Sequence, residues 1–127
     1  MTARANLAIA AAALTIALPG CGPRAEDGPP RVLLGESPCD QCGMIISDER
    51  FAAATVIEGP RGPEPRLFDD YNCQMNFERD HPDSAVVARW AHDYPSSAWL
   101  RSESATYLKS PNLRTPIAAQ IAAFLKA

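Results

Sequence analysis

Two features that mark common functional classes are missing from this sequence. Its 12 lysines and arginines are outnumbered by 15 aspartates and glutamates, which gives a formal net charge of −3. No basic patch and no alternation of aromatic and basic residues, of the kind that binds phosphates and bases, is visible. The apolar run at residues 7–18 is too short to cross a bilayer. These absences argue against a nucleic-acid partner and against a membrane-spanning helix.

The first 20 residues have the layout of a secretory signal. Arg4 is the one charged residue before the apolar run, and Gly20 is a small residue at the expected cut. Because Cys21 follows directly, the site resembles a bacterial lipobox, in which that cysteine is lipidated and becomes the mature N-terminus. Pro19 is an unusual occupant of the motif. Ordinary cleavage, with Cys21 left as a free or paired thiol, is the alternative.

Composition divides the chain into three parts. The segment after Cys21 holds three prolines and two glycines within nine residues and no apolar periodicity, which indicates an extended tether. The remainder has the length of one domain with one modest core. We therefore expect a lipoprotein signal over residues 1–20, a lipid anchor and tether over 21–30, and one folded domain over 31–127.

Apolar patterns predict an α+β domain. Short β-branched and aromatic runs bounded by Gly and Pro indicate strands. Asp69 and Asp70 precede a helical pattern, so we interpret them as a helix cap rather than as paired catalytic carboxylates. Thr115 followed by Pro116 predicts a second helix start. Strands followed by a helix, twice over, indicate two loosely similar halves. The predicted strands are 32–34, 44–46, 51–57, 66–68, 84–91 and 99–100, with 105–108 as strand or helix, and the predicted helices are 71–79 and 115–125.

Three sulfur-bearing side chains lie within six positions, at Cys39, Cys42 and Met44. If Cys21 carries lipid, three thiols remain, the third being Cys73, and an odd number leaves at least one outside any intramolecular disulfide. Thiolates and thioethers are soft ligands that favour Cu(I). Cys42 and Met44 are two residues apart, so in an extended segment both would leave the same face and converge on one ion. The sequence thus predicts a Cu(I) site at these two residues, with Cys39 assisting.

Three other interpretations of the cysteines stay open. A thioredoxin-like redox motif needs a low-pKa thiolate at a helix N-terminus, whereas Asp40 between the cysteines would raise the pKa of a thiol. A zinc site built from the three cysteines and a histidine would leave Met44 unexplained. A disulfide from Cys39 or Cys42 to Cys73 is the structural alternative.

The cluster belongs to an ordered set of short motifs. They are Cys42-Gly43-Met44, Phe68-Asp69-Asp70 with Cys73 and Met75 after it, Asp93-Tyr94, Trp99-Leu100, Ala105-Thr106-Tyr107-Leu108 and Thr115-Pro116. In order and spacing, this set resembles the NosL family, the lipoprotein copper chaperones of nitrous oxide reductase. The resemblance implies a Cu(I)-binding periplasmic lipoprotein whose small α+β fold has two related halves, similar to part of organomercury lyase. It also implies metal ligands at Cys42 and Met44.

This chain departs from the family pattern at two positions. Ile117 stands where the family usually has methionine, and Ala54 stands where glutamine is common. The third ligand is therefore open, and His81 and His92 are candidates because histidine often binds metals. A solvated loop position for His81 and a hydrogen-bonded strand end for His92 are the structural alternatives.

These observations lead to one functional expectation. We expect a non-enzymatic Cu(I) carrier, anchored through Cys21 to the inner or outer membrane on its periplasmic side. As the resemblance implies, it would deliver copper to a membrane-associated assembly complex or to apo nitrous oxide reductase itself. The alternatives are a periplasmic thiol-disulfide oxidoreductase, a thiol-based metal-carbon lyase, and a metal-free structural lipoprotein.

Overall fold

Residues 28–126 are described by the structure, a computed structural model, and antiparallel strands make up most of their regular structure. Two short 3₁₀ turns and one α-helix complete the set. In chain order the elements are a 3₁₀ turn at Glu49–Phe51, β1 (Ala53–Gly59), β2 (Gly62–Phe68), α1 (Tyr71–Asp80), β3 (Val86–His92), β4 (Trp99–Arg101), a 3₁₀ turn at Ser102–Ser104, β5 (Ala105–Lys109) and β6 (Ile121–Leu125).

Four strands form the main sheet in the order β2-β1-β3-β4, and β5 pairs with β6 in a separate two-stranded sheet. The first five residues of β1 are buried, as expected of a central strand covered on both faces. The second sheet is tied to the first because Tyr94, just after β3, donates its N–H to the carbonyl of Ala123 at 2.8 Å. Both sheets therefore contribute to one core.

The helix α1 closes the core. Asp70 caps its N-terminus in an extended conformation, and Tyr71, Cys73 and Phe77 are buried beneath it. Phe77 packs on Phe68 at the end of β2 with ring centroids 5.2 Å apart. Burial of such aromatic faces supplies much of the stability of a small domain. Cys39, Ile46, Ala52, Ala53, Ala91 and Ala123 complete the buried cluster.

The α+β prediction is confirmed, since one helix accompanies the antiparallel sheets. The helix predicted over 71–79 is present as α1, and the strands predicted over 51–57, 66–68, 84–91 and 99–100 correspond to β1–β4 within a few residues. The open choice at 105–108 is resolved as the strand β5.

The helix predicted over 115–125 is wrong. Ala118 and Gln120 both have a φ of 56°, a left-handed conformation that a right-handed helix cannot contain. The residues that follow form β6 and pair with β5. The second half of the domain therefore ends in a strand, and within residues 28–126 only the first half has the predicted strand-strand-helix order.

The strand predicted over 32–34 is also wrong. Leu33 and Leu34 are exposed, and the carbonyl of Leu33 accepts hydrogen bonds from the N–H groups of Glu36 and Ser37. Between residues 28 and 126 no helix is long and apolar enough to cross a bilayer. The predicted signal and Cys21 lie outside the described residues.

Candidate metal centre

Residues 37–46 form a hairpin that carries two of the cysteines, here named the sulfur hairpin. Ile46 donates its N–H to the carbonyl of Ser37 at 2.9 Å, and Cys39 donates its N–H to the carbonyl of Met44 at 2.7 Å. A turn over residues 40–43 joins the two arms, and its last residue, Gly43, has a φ of +75°. Glycine adopts this conformation without steric penalty, so the turn brings Cys42 back toward Cys39.

Polar contacts from the turn fix the sulfur hairpin to the rest of the fold. Asp40 donates its N–H to the carbonyl of Leu67 at 2.7 Å, and its carboxylate accepts the N–H of Leu67 at 2.6 Å. Gln41 donates to the carboxylate of Asp80 at 3.1 Å, at the end of α1. The tip of the hairpin therefore rests on the last residues of β2 and on α1.

The first turn of α1 carries Cys73 and is held by a buried carboxylate. Asp70 is fully buried; its Oδ1 accepts from the N–H groups of Asn72 at 2.9 Å and Cys73 at 3.2 Å. Its Oδ2 accepts from the N–H groups of Ile117 at 3.0 Å and Ala119 at 3.3 Å. One side chain thus joins the helix start to the loop before β6.

Neighbouring Asp69 ties the sulfur hairpin to the same helix start. Its Oδ1 accepts the N–H of Ser47, directly after the hairpin, at 3.3 Å, while its buried Oδ2 has no partner among the described residues. Burial raises the pKa of Asp69. The interpretation of the acidic pair as a cap is confirmed for Asp70, and Asp69 acts as a brace beside it.

These constraints bring three thiols together. The Sγ atoms of Cys39, Cys42 and Cys73 all lie within 4.8 Å of one another, and all three are free thiols. Cys39 and Cys73 are each only 2% exposed, whereas Cys42 is exposed. The cluster therefore has two buried sulfurs and one that faces solvent.

The environment favours the protonated form of two of the thiols, Cys42 and Cys73, when no metal is bound. Burial raises the pKa of Cys73 well above its usual range, and the adjacent Cys39 raises it further. Partial burial also raises the pKa of Cys42, although a hydrogen bond from the Met44 backbone partly offsets this. A metal that binds here must displace protons.

The donor set fits a soft metal ion. Metal-thiolate bonds of about 2.3 Å, as at zinc, place the three sulfurs of a planar site about 4 Å apart, which the observed separations within 4.8 Å accommodate after small side-chain rotations. Three cysteines could thus hold a metal ion between the sulfur hairpin and α1.

Met44 lies beside the cluster in a different way from the one expected. The positive φ of Gly43 means that Cys42 and Met44 do not lie on one extended segment, so that argument for their convergence is wrong. Met44 is instead the cross-strand neighbour of Cys39, next to the bridge between Pro38 and Ile45. Cross-strand neighbours project from the same face, and Met44 is 53% exposed. Its role as a ligand stays a prediction.

Neither histidine joins the thiols. His81 follows α1, is exposed, and its Nδ1 lies 2.8 Å from the carbonyl of Phe77. His92 ends β3, is buried, and donates from Nδ1 to the carbonyl of Ala52 at 2.9 Å. The group of close metal-binding side chains between residues 28 and 126 contains the cysteines alone. Both histidines occupy the structural positions given as alternatives.

Cys73 is the site residue that the sequence argument undervalued. The sequence alone indicates Cys73 as a disulfide partner or a zinc ligand, and not as a copper ligand. The sequence feature that bears on its role is its position in the first turn of a helix that Asp70 caps, directly after a strand. That signal becomes informative only once the sulfur hairpin is known to rest on Leu67 at the end of β2.

Comparison of the chain with known proteins adds no further constraint. No family model matches it, and no curated protein and no solved structure matches it either.

Proposed function

We propose that this chain is a non-enzymatic Cu(I) carrier whose cargo is held by the thiolates of Cys39, Cys42 and Cys73, with the thioether of Met44 at the mouth of the site. The proposal extends to the role that the resemblance to the NosL family implies. In that role the chain is a periplasmic lipoprotein, anchored through Cys21, that delivers copper for the copper centre of nitrous oxide reductase.

The observation that carries the proposal is the close approach of three free thiols. Thiolates select Cu(I) over the hard cations that prefer oxygen ligands. Low coordination numbers suit Cu(I), so three sulfurs satisfy it without the fourth ligand that a structural zinc site requires. Within residues 28–126 no histidine or carboxylate completes such a fourfold set.

The unequal burial of the sulfurs supports transfer rather than permanent storage. Cys39 and Cys73 are shielded, while Cys42 and Met44 face solvent. A thiolate or thioether from an acceptor protein can bind the ion as Cys42 leaves it, so the metal stays coordinated throughout the exchange. The bond to the departing thiolate breaks as the bond to the incoming sulfur forms, and no electron is transferred.

The same geometry counts against a dithiol oxidoreductase. Cys39 and Cys42 lie on the sulfur hairpin and not at a helix N-terminus, and no cationic group contributes to the pKa shift of Cys42. The pKa of Cys42 is raised by partial burial, whereas an attacking thiol needs a lowered pKa. Asp40 is not among the groups that shift the pKa of Cys42; its carboxylate accepts the N–H of Leu67.

Cu(I) titration of the reduced chain from Gly22 onward tests the proposal directly. The protein is prepared without oxygen and competes with a chromophoric Cu(I) chelator, and X-ray absorption counts the sulfur neighbours of the bound ion. A serine substitution at Cys39, at Cys42 or at Cys73 should weaken Cu(I) binding about 100-fold or more. Loss of a residue that only hydrogen-bonds a metal ligand already lowers metal affinity about 10- to 100-fold.

Two exposed methionines provide a matched control. Met44 and Met75 each follow a cysteine by two residues, and each is 53% exposed. Met44→Leu should lower Cu(I) affinity, whereas Met75→Leu should leave it unchanged. Failure of the reduced protein to retain Cu(I) against a modest competitor would overturn the proposal and favour a metal-free scaffold. Full affinity in Cys73→Ser would overturn the three-thiolate site.

Delivery is tested in the cell. Deletion of the gene should leave nitrous oxide reductase without its copper-sulfur centre, and a Cys42→Ser copy should not restore that centre. A reductase with its full copper content in the deletion strain would limit the proposal to copper binding.

A further inference from the structure

The outer edge of β5 is exposed and apolar. The strand β5 pairs with β6 along one side, and no other strand pairs with it among residues 28–126. Four of its five residues are exposed, including Tyr107, which is 43% exposed, and Leu108, which is 52% exposed. An exposed apolar edge of this kind is a template for pairing with another strand.

The outer strands of the main sheet are protected, which makes β5 exceptional. The strand β2 contains Pro63 and Pro65, which cannot donate to a ladder. It also carries an ion pair between Glu64 and Arg66 at 2.9 Å. At the opposite edge β4 has only three residues. In contrast, the sequence of β5, Ala-Thr-Tyr-Leu-Lys, holds no proline and one terminal charge.

The hydrogen-bond pattern shows which groups of β5 are free. Ser110 donates its N–H to the carbonyl of Gln120 at 2.9 Å, which continues the register in which Leu108 faces Ala122. In an antiparallel strand, every second residue directs its backbone N–H and carbonyl groups toward the same neighbouring strand. The even-numbered residues of β5 therefore face β6. The backbone groups of Tyr107 and Lys109 and the carbonyl of Ala105 point to the open edge, whereas the N–H of Ala105 donates to the carbonyl of Ser102.

We propose that β5 pairs antiparallel with β5 of a second copy of this chain, about a two-fold axis at Tyr107. The three outward-pointing residues match under this symmetry. Tyr107 meets the partner's Tyr107, and Ala105 meets the partner's Lys109. Because the N–H of Ala105 is already bonded to Ser102, the pairing forms about four backbone hydrogen bonds. The two β5-β6 sheets then become one four-stranded sheet across the dimer.

Charge favours a second copy over a foreign strand. Glu103 lies just before β5 and Lys109 ends it, and both are exposed. Antiparallel pairing places Lys109 next to the partner's Glu103 at both ends, so the strand is complementary to itself. Glu103 also faces Arg89, whose pKa is raised mainly by Glu78 and further by Glu103.

An adjoining pocket adds apolar contact to the pairing. It has a volume of about 450 Å³, and its lining includes Tyr71, Met75, Tyr107 and Ile121. The ring of Tyr107 stands edge-on to that of Tyr71, with centroids 5.5 Å apart. In the dimer the partner's Tyr107 lies on this same face, where it covers exposed aromatic surface and narrows the pocket mouth.

Sedimentation equilibrium of the reduced chain from Gly22 onward tests the proposal. A strand-paired interface of this size is expected to dissociate at about 10 to 100 μM. Lys109→Glu and Glu103→Lys should each weaken the dimer about tenfold or more, because each places like charges together at both ends. The double variant Glu103→Lys/Lys109→Glu restores opposite charges and should recover dimerisation.

Two controls separate this dimer from other associations. Arg61→Glu changes an exposed charge in the turn between β1 and β2 of the main sheet and should leave the dissociation constant unchanged. Cys42→Ser removes the exposed thiol, so a dimer that persists in it is not disulfide-linked. A chain that stays monomeric up to about 1 mM, or a double variant as weak as either single one, would overturn the proposal. A monomer would leave the edge for a strand of another protein.

Discussion

Gly43 holds the two arms of the sulfur hairpin in position. Its φ of +75° lets its N–H reach the carbonyl of Cys39 at 2.9 Å. Gly35 has almost the same conformation, with a φ of +78°, and a Cβ at either position would meet no atom within 4 Å. Any penalty for a side chain there is therefore conformational and not steric, which makes the two glycines a matched pair.

We predict that Gly43→Ala and Gly35→Ala each lower the free energy of unfolding by about 1–2 kcal/mol, the penalty of a left-handed conformation with a Cβ. Only Gly43 lies between Cys42 and Met44, so only Gly43→Ala should also weaken Cu(I) binding. Urea unfolding and chelator competition measure the two effects. Equal losses of Cu(I) affinity in both variants would show that the effect is one of global stability.

The place of Cys73 in the site could not be deduced from residue types alone. The pattern of sulfurs at 39, 42 and 44 points to a soft-metal site, and this local feature is visible in the sequence. Cys73, in contrast, reaches the hairpin only because Asp40 fixes the turn to Leu67, a contact between segments 27 positions apart. Such non-local pairing leaves no periodic signature in the chain.

The helix α1 and the loop before β6 share one acceptor, the carboxylate of Asp70. Four backbone N–H groups converge on it, two from the first turn of α1 and two from residues 117 and 119. A charged acceptor strengthens each hydrogen bond. The two elements are therefore expected to loosen together when the charge is removed.

We predict that Asp70→Asn lowers the free energy of unfolding by about 3 kcal/mol or more, because its amide accepts fewer bonds and faces buried donors. Asp48→Asn is the control, since Asp48 caps only the 3₁₀ turn at Glu49–Phe51, and it should cost about 1 kcal/mol. Hydrogen exchange should show faster exchange in both α1 and the 117–119 segment of Asp70→Asn. Unchanged protection of either element would contradict the shared role.

Sequence patterns predicted the elements of the main sheet and failed near the C-terminus. The strands β1 and β3 contain β-rich runs, and Asp70 marks α1 by a local cap. The first half of β2, which holds Gly62, Pro63 and Pro65, gives no strand signal and is ordered by its pairing with β1. The last segment has Pro116 and many alanines, which favour a helix. Its pairing with β5 and the left-handed Ala118 and Gln120 depend on tertiary contacts that override propensity.

His92, at the end of β3, packs against β4 and the 3₁₀ turn at Glu49–Phe51 through an uncharged imidazole. It is 1% exposed, its ring centroid lies 3.7 Å from that of Trp99, and its Nε2 is 3.9 Å from Glu49. Burial lowers the pKa of His92 from its usual 6.5, despite the opposing effects of Ala52 and Glu49. A protonated form is thus disfavoured within the fold.

We predict that acid destabilises the domain through this residue. Below about pH 6.5 the histidine of the unfolded chain binds a proton that folded His92 does not bind. The free energy of unfolding therefore decreases as the pH is lowered. The slope is at most ~1.4 kcal/mol per pH unit. Asp69 has a raised pKa in the folded protein. Its protonation therefore stabilises the folded state as the pH is lowered and opposes the effect of His92. Urea unfolding between pH 7.5 and 5.5 should show a flatter slope of unfolding free energy against pH in His92→Gln than in the unsubstituted protein. An unchanged slope in His92→Gln would refute the assignment.

The three sulfurs of the candidate centre come from the sulfur hairpin and from α1, which the fold brings together. An extended polypeptide separates Cys73 from Cys42 by 30 intervening residues, and a site of this kind does not exist in an unfolded chain. A copy that crosses a membrane unfolded must therefore travel empty. If the chain is the exported copper carrier proposed above, loading can begin only once the domain has folded at its destination, so its copper supply has to be located there as well.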